Sequence, residues 1–197
     1  MRSILKPSAI IPPQTLLEAY RQGIFPMADE YGAVNWYEAN PRAVLEVDGF
    51  HIPHDLKRVL NRNDFEVRID VGFEQVMRAC ARRTPTWISE EIIGSYVALH
   101  HLGYAHSVEA WQNGRLAGGL YGVALGAAFF GESMFHRISN ASKIALVHLA
   151  RHLENQGFEL HDAQVMTPTL KLFGARNVPR EEYMRRLKSA LKKKVSF

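Results

Sequence analysis

The sequence predicts an α+β protein. Three observations carry that reading: helix patterns closed by caps and glycines, short apolar runs of strand length, and an Asn113-Gly114 pair between two such runs, the turn of a β-hairpin. At 197 residues and 47% hydrophobic content, the chain can bury a core as one large domain or two small ones. Cys80 is the only cysteine, so no internal disulfide forms, and a cytosolic address is the default.

The elements follow in order. A helix runs from about Thr15 to Gln22 and stops at Gly23; an aromatic loop spans Phe25-Pro26 to Asn40-Pro41, and a strand covers Ala43 to Val47. Pro53 opens a short helix to about Asn61, Phe65 to Ile69 alternates as a strand, and Phe73 to Ala81 is apolar at helical spacing. This first third forms a small α+β unit, with a break at Arg82-Arg83-Thr84-Pro85. Ser89, followed by Glu90 and Glu91, caps a helix to Leu102 and puts two carboxylates at the positive end of its dipole. Strands at His106–Gln112, Leu116–Ala124 and Ala127–Met134 make an antiparallel meander. Ser139 or Asn140 caps a helix to Gln156, Gly157 ends it, Phe158–Gln164 is a strand, and Pro179 opens a last helix.

Neither a signal peptide nor a membrane span is expected. The basic Met1–Pro7 segment meets Pro12-Pro13 before any long apolar stretch develops. The uncharged run Leu116–Gly131 falls short of about 20 apolar residues and follows a hairpin turn. Net charge is +4, and it is concentrated: between Lys171 and Lys194 nine Lys and Arg residues stand against Glu181 and Glu182 only. That end suits a polyanionic partner, or forms a solvated basic helix with a Lys-rich tail.

Several residues can carry chemistry. Asp162 and Gln164 lie two apart on a strand, so their side chains are expected on one face, a carboxylate beside an amide, or in solvent at the strand end. Glu132 and Ser133 interrupt an aromatic run between Phe129-Phe130 and Met134-Phe135 that can line an apolar pocket. Ser133 is disfavoured as a hydrolase nucleophile, because Phe135 stands where the nucleophile elbow requires glycine. His148 and His152 lie one helical turn apart, but no third ligand accompanies them and no metal is expected. Gly118 to Gly126 lacks the lysine of a phosphate-binding loop; its glycines suit close strand packing or close substrate approach.

These pieces together resemble the leucyl/phenylalanyl-tRNA-protein transferase family. The resemblance begins at Leu16-Leu17-Glu18-Ala19-Tyr20-Arg21-Gln22-Gly23-Ile24-Phe25-Pro26 and continues through Trp36-Tyr37, Asn40-Pro41-Arg42-Ala43-Val44 and Thr86-Trp87-Ile88. Its most specific block is Gly103 to Glu109, Gly118 to Val123, Gly131-Glu132-Ser133-Met134-Phe135 and Ala141-Ser142-Lys143, followed by Asp162-Ala163-Gln164 and Gly174-Ala175 to Val178-Pro179-Arg180. It departs at Met27, where an aromatic is usual, and at Ala163, Thr169 and Leu172, and it lacks a Gly-rich opening stretch.

The resemblance implies a small N-terminal α+β domain over 1–84 and a GNAT-like acyltransferase domain over 85–197. It implies transfer of Leu or Phe, with Met also in range, from aminoacyl-tRNA to the α-amino group of proteins beginning with Arg or Lys, which marks them for N-end-rule degradation in the cytoplasm. No cofactor, metal or membrane is called for, since the ester is already activated. By the same resemblance Asp162 and Gln164 are catalytic, with Asp162 orienting and polarising Gln164. Glu132 and Ser133 bind substrate with Leu120, Phe129, Met134, Leu146, Leu149 and Leu153, the last three on one helix face that also suits ordinary core. Tyr20, Trp87 and Tyr96 stack near the acceptor end of tRNA, and Arg185 and Arg186 contact phosphates. Two rivals stand beside this reading: an N-acyltransferase using acyl-CoA, although His136–Asn140 offers no glycine loop for a pyrophosphate, and a non-catalytic RNA-binding module, which leaves Glu132, Asp162 and Gln164 without a task.

Overall fold

The computed structural model describes residues 10–197; the expectation for Met1–Pro7 lies outside them. Helix α1 (Pro13–Arg21) starts on a proline whose missing N–H costs nothing at a helix opening, and it ends at Gly23, whose φ of +75° suits glycine. The segment expected as an aromatic loop instead folds as a hairpin, β1 (Phe25–Ala28) antiparallel to β2 (Val34–Tyr37). Next come β3 (Arg42–Leu45), α2 (His54–Arg62), β4 (Glu66–Ile69) and α3 (Phe73–Ala81). Helix α4 (Glu90–His101) is capped as expected by Ser89, whose Oγ accepts from the Ile92 N–H at 3.3 Å.

The meander forms as β5 (Ala105–Gln112), β6 (Arg115–Leu125) and β7 (Ala128–His136). It is followed by α5 (Ala141–Gln156), β8 (Leu160–Gln164), α6 (Pro168–Leu172), β9 (Arg176–Val178) and α7 (Arg180–Ala190). Three details depart from expectation. Neither Ser139 nor Asn140 places a side-chain cap on α5, Asn140 taking a left-handed backbone instead. The short elements α6 and β9 have no apolar period long enough to announce them.

Seven strands form one mixed sheet in the order β4-β5-β6-β7-β8-β3-β9, in which only β7 and β8 pair in parallel, joined through α5. Strands β3 and β4 come from the first 84 residues, so the sheet runs across the boundary expected there. One face packs on α1, α3, α4 and α7, and the other on α5 and α2. Phe129 and Phe130 alternate between these two cores, as neighbouring strand residues must. Helix α5 buries Ile144, Leu146, Leu149 and Leu153, at roughly 1.5–3 kcal/mol each. Gly122 is required by packing: a Cβ there would lie 2.3 Å from the Phe130 carbonyl oxygen and 2.5 Å from the Phe129 ring.

Candidate active site

The site begins with a misregister. Tyr121 pairs with Ser133 and Gly122 with Gly131, leaving Glu132 as the extra residue of a β-bulge between β6 and β7. A bulge breaks the two-residue alternation and re-aims a side chain. Here it turns Glu132 toward α1, where the Tyr20 hydroxyl donates to Oε1 at 2.7 Å. The Tyr20 hydroxyl also contacts that of Tyr96 on α4. From β8, Gln164 Nε2 donates to the same Glu132 oxygen at 2.8 Å. With Glu132 ionised that bond fixes the sense of the amide, and Gln164, which lines the cavity, keeps Oε1 free of a protein partner among the described residues.

Burial is the largest influence on Glu132 and pushes its pKa up to about 7; the Tyr20 hydrogen bond opposes this and Asp162 adds to it. Glu132 Oε2, Ser133 Oγ and the Tyr121 hydroxyl are sealed from solvent and have no hydrogen-bond partner. Polar atoms without a partner are rare in a folded protein, and three on neighbouring residues leave capacity that water or a bound molecule can take up.

Asp162 is placed differently from the expectation. Its carboxylate takes Arg42 in a fork, Nε to Oδ1 at 2.8 Å and Nη2 to Oδ2 at 2.7 Å. The Tyr183 hydroxyl donates to Oδ2 at 2.7 Å, and the backbone N–H of Gln164 donates to Oδ1 at 2.8 Å. The expected side-chain pairing of Asp162 with Gln164 is therefore not formed. Gln164 has φ of +58°, which takes it out of strand alternation, and its amide goes to Glu132 instead. Arg42 is 1% exposed, donates further to the Gly23 carbonyl at 3.0 Å, and lies 4.9 and 4.7 Å from the Phe25 and Tyr183 ring centroids. Burial is the largest single influence and works against its charge, but the charge and hydrogen bonds of Asp162, with Tyr183 and Glu132 adding, together hold the guanidinium pKa above its usual value.

A cavity of about 880 Å³ opens beside these groups. Of the residues singled out from sequence, Leu120, Met134, Leu146, Leu149, Glu132, Ser133, Gln164 and Trp87 line it. Phe129 and Leu153 do not: both are fully buried in the core between β7 and α5. Tyr20 and Tyr96 are also fully buried, so neither ring has a face open to a base; their hydroxyls serve Glu132 and each other. Arg185 and Arg186 lie on α7, away from the cavity. Arg185 borders a groove of about 700 Å³ with Arg180, Lys188 and Lys192, whereas Arg186 is taken by Glu46 at 3.0 Å and Glu182 at 2.6 Å.

Of the departures, Met27, Ala163 and Thr169 line the cavity, and Leu172 is exposed outside it. Sequence reasoning missed Arg42, Tyr183, Tyr121, Glu38 and His161. Arg42 had a usable signal: a carboxylate on an apolar strand needs a cation. His161, 3% exposed, lines the cavity, and burial pulls its pKa down to about 4 with Asp162 opposing. Among the described residues no three His, Cys, Asp or Glu side chains are placed to hold a metal, and no helix is long and apolar enough to cross a membrane.

Comparison with known proteins gives the same direction over most of the length. The leucyl/phenylalanyl-tRNA protein transferase family matches residues 44–188, and its N-terminal domain matches 10–40. A protein called leucyl/phenylalanyl-tRNA--protein transferase from Rubrobacter xylanophilus is 55% identical over 94% of this chain and 97% of its own. Those of the same name from Salinibacter ruber and Gloeobacter violaceus are 54% and 53% identical, each over 91% of this chain and over 80% and 93% of their own. A solved L-PGS structure from Bacillus licheniformis, 12% identical, covers 91% of this chain and 63% of its own at a TM-score of 0.43, too distant to bear on fold or function. With a family match across most of the chain and relatives above half identity, the chain belongs to the leucyl/phenylalanyl-tRNA protein transferase family and is an enzyme.

Proposed function

We propose that the chain carries Leu or Phe, with Met also in range, from aminoacyl-tRNA to the α-amino group of proteins beginning with Arg or Lys, in the cytoplasm and as a mark for N-end-rule degradation. The observation that supports this most is the Glu132–Gln164 contact beside a cavity walled by Leu120, Met134, Leu146 and Leu149. The aminoacyl side chain lies against that wall, which selects by volume and separates similar apolar groups weakly. Its α-ammonium meets Glu132, whose free Oε2 offers a charged acceptor, with Ser133 alongside.

The acceptor amine attacks the ester carbonyl. A C–N bond forms, the ester C–O bond breaks, and one amine proton passes to the departing ribose oxygen. Gln164 Oε1 accepts a hydrogen bond from the amine and orients its lone pair, which is a positional contribution because an amide is no strong base. Asp162 acts as a positioning residue through the Gln164 backbone. Tyr20 and Tyr96 hold Glu132 in place. The half-buried Trp87 offers a ring to the terminal adenine, and Arg185 with its α7 neighbours meets phosphates, giving salt-dependent affinity without sequence choice. No cofactor is called for. The parallel β7–α5–β8 unit inside an otherwise antiparallel sheet supports a GNAT-like layout.

The test uses purified protein, an Arg-initiated peptide, and labelled leucyl-tRNA against labelled acetyl-CoA. Leucine should pass to the peptide and acetyl should not. Acetyl transfer would favour the acyl-CoA reading, and tight tRNA binding without transfer would favour a binding module.

A further inference from the structure

We propose that Glu38 selects the cationic first side chain of the acceptor protein, with Arg180 occupying its carboxylate until the acceptor arrives. The inference rests on the reading above, in which acceptors begin with Arg or Lys. Two carboxylates line the cavity, Glu132 and Glu38. Glu132 lies in the interior, bonded to Tyr20 and Gln164 through Oε1, and on the reading above its unbonded Oε2 is the one that takes the α-ammonium of the aminoacyl group. A second cation, on the acceptor, needs a second carboxylate, and Glu38 is the one that the cavity wall supplies.

Its place in the fold fits that task. Gln164 pairs with Ala43, and Ala43 with Asn177, so a row of residues leads from the reacting end of β8 across β3 to the edge strand β9. Glu38 and Asn40 lie just before β3, Arg180 just after β9, and Asn177, Asn40 and Glu38 all line the cavity. The apolar wall of Leu120, Met134, Leu146 and Leu149 belongs to β6, β7 and α5, on the other side of β8. An amine held at Gln164 with the aminoacyl group on that wall therefore has the β3–β9 side left for its own side chain.

The charge at Glu38 is also exchangeable. Arg180 Nε donates to Glu38 Oε1, and the side chains are 54% and 39% exposed, so solvent screens the pair and it is held weakly. An incoming Arg or Lys replaces one cation by another and leaves the carboxylate paired throughout. A neutral first residue gains nothing there, and an acidic one meets repulsion.

The experiment measures leucine transfer to four peptides that differ only in the first residue, Arg, Lys, Gln or Glu. Wild type is compared with Glu38→Gln, Glu38→Lys and Arg180→Ala, after circular dichroism confirms that each is folded. Wild type should favour Arg and Lys. Glu38→Gln should lose about tenfold of that preference through the peptide KM, with the KM for leucyl-tRNA unchanged, and Glu38→Lys should favour the Glu peptide. Arg180→Ala should keep the preference. Retention of the preference in Glu38→Gln overturns the proposal, as does an equal loss in Arg180→Ala, which would mean that the ion pair matters only structurally. Transfer by wild type to all four peptides alike removes the acceptor preference and the proposal with it. No transfer to any peptide sinks the transferase reading itself.

Discussion

Two buried polar clusters sit side by side on β7 and β8, and they differ in how completely they are bonded. Around Asp162 each carboxylate oxygen accepts two hydrogen bonds, from Arg42, Tyr183 and the Gln164 backbone. Around Glu132 one oxygen takes Tyr20 and Gln164, while Oε2, Ser133 Oγ and the Tyr121 hydroxyl have none. A saturated cluster has nothing left to offer a substrate and holds the sheet together. An unsaturated one keeps polar capacity in reserve at the cost of burial, and that is the arrangement of a binding site.

The largest effect should come from the saturated side. Asp162→Ala leaves the Arg42 guanidinium buried without its partner and should destabilise the fold by about 3–5 kcal/mol, read by chemical denaturation, with activity falling because the Gln164 backbone loses its anchor. Little loss of stability would mean that water enters the cluster and that the two regions differ less than their geometry indicates. Next, Gln164→Ala should lower kcat by about 10²-fold, comparable to removing one preorganised hydrogen-bonding group, with an unchanged melting temperature. A stability loss equal to that of Asp162→Ala would move Gln164 to the structural side.

The smallest effect concerns pH. The pKa of Glu132 is raised to about 7 from 4.5, so the folded state favours the protonated form. Its contribution to stability is full below about pH 4.5 and is lost as pH rises through 7. Glu132→Gln, which carries no charge to desolvate, should therefore be more stable than wild type at pH 8 by about 1–3 kcal/mol and no more stable at pH 4, while losing transfer activity. Thermal unfolding at the two pH values checks the sign.

Much of the fold was legible because its signals are local. Ser89 caps α4, Gly23 and Gly157 close α1 and α5, and Asn113-Gly114 turns β5 into β6, each fixed by the backbone sterics or hydrogen bonding of a few neighbouring residues. The aromatic loop hid a hairpin because no strong turn pair marks it. The site was legible only as a set of residue types. Glu132, Ser133, Gln164 and the α5 leucines stood out as chemistry or pattern, but helical spacing could not tell Leu146 and Leu149, on the cavity wall, from Leu153, in the core.

By itself the sequence determined the order of most helices and strands, the family, and the polar groups that a core of this composition has to accommodate. Tertiary structure decided which of them bond. Asp162 meets Arg42 across 120 residues, and Tyr20 meets Glu132 across 112. The first pairing follows from β3 lying beside β8 and the second from α1 packing on the sheet, and the bulge that aims Glu132 exists only as a mismatch between two paired strands. No window along one chain contains that mismatch, because a register is a property of two segments at once.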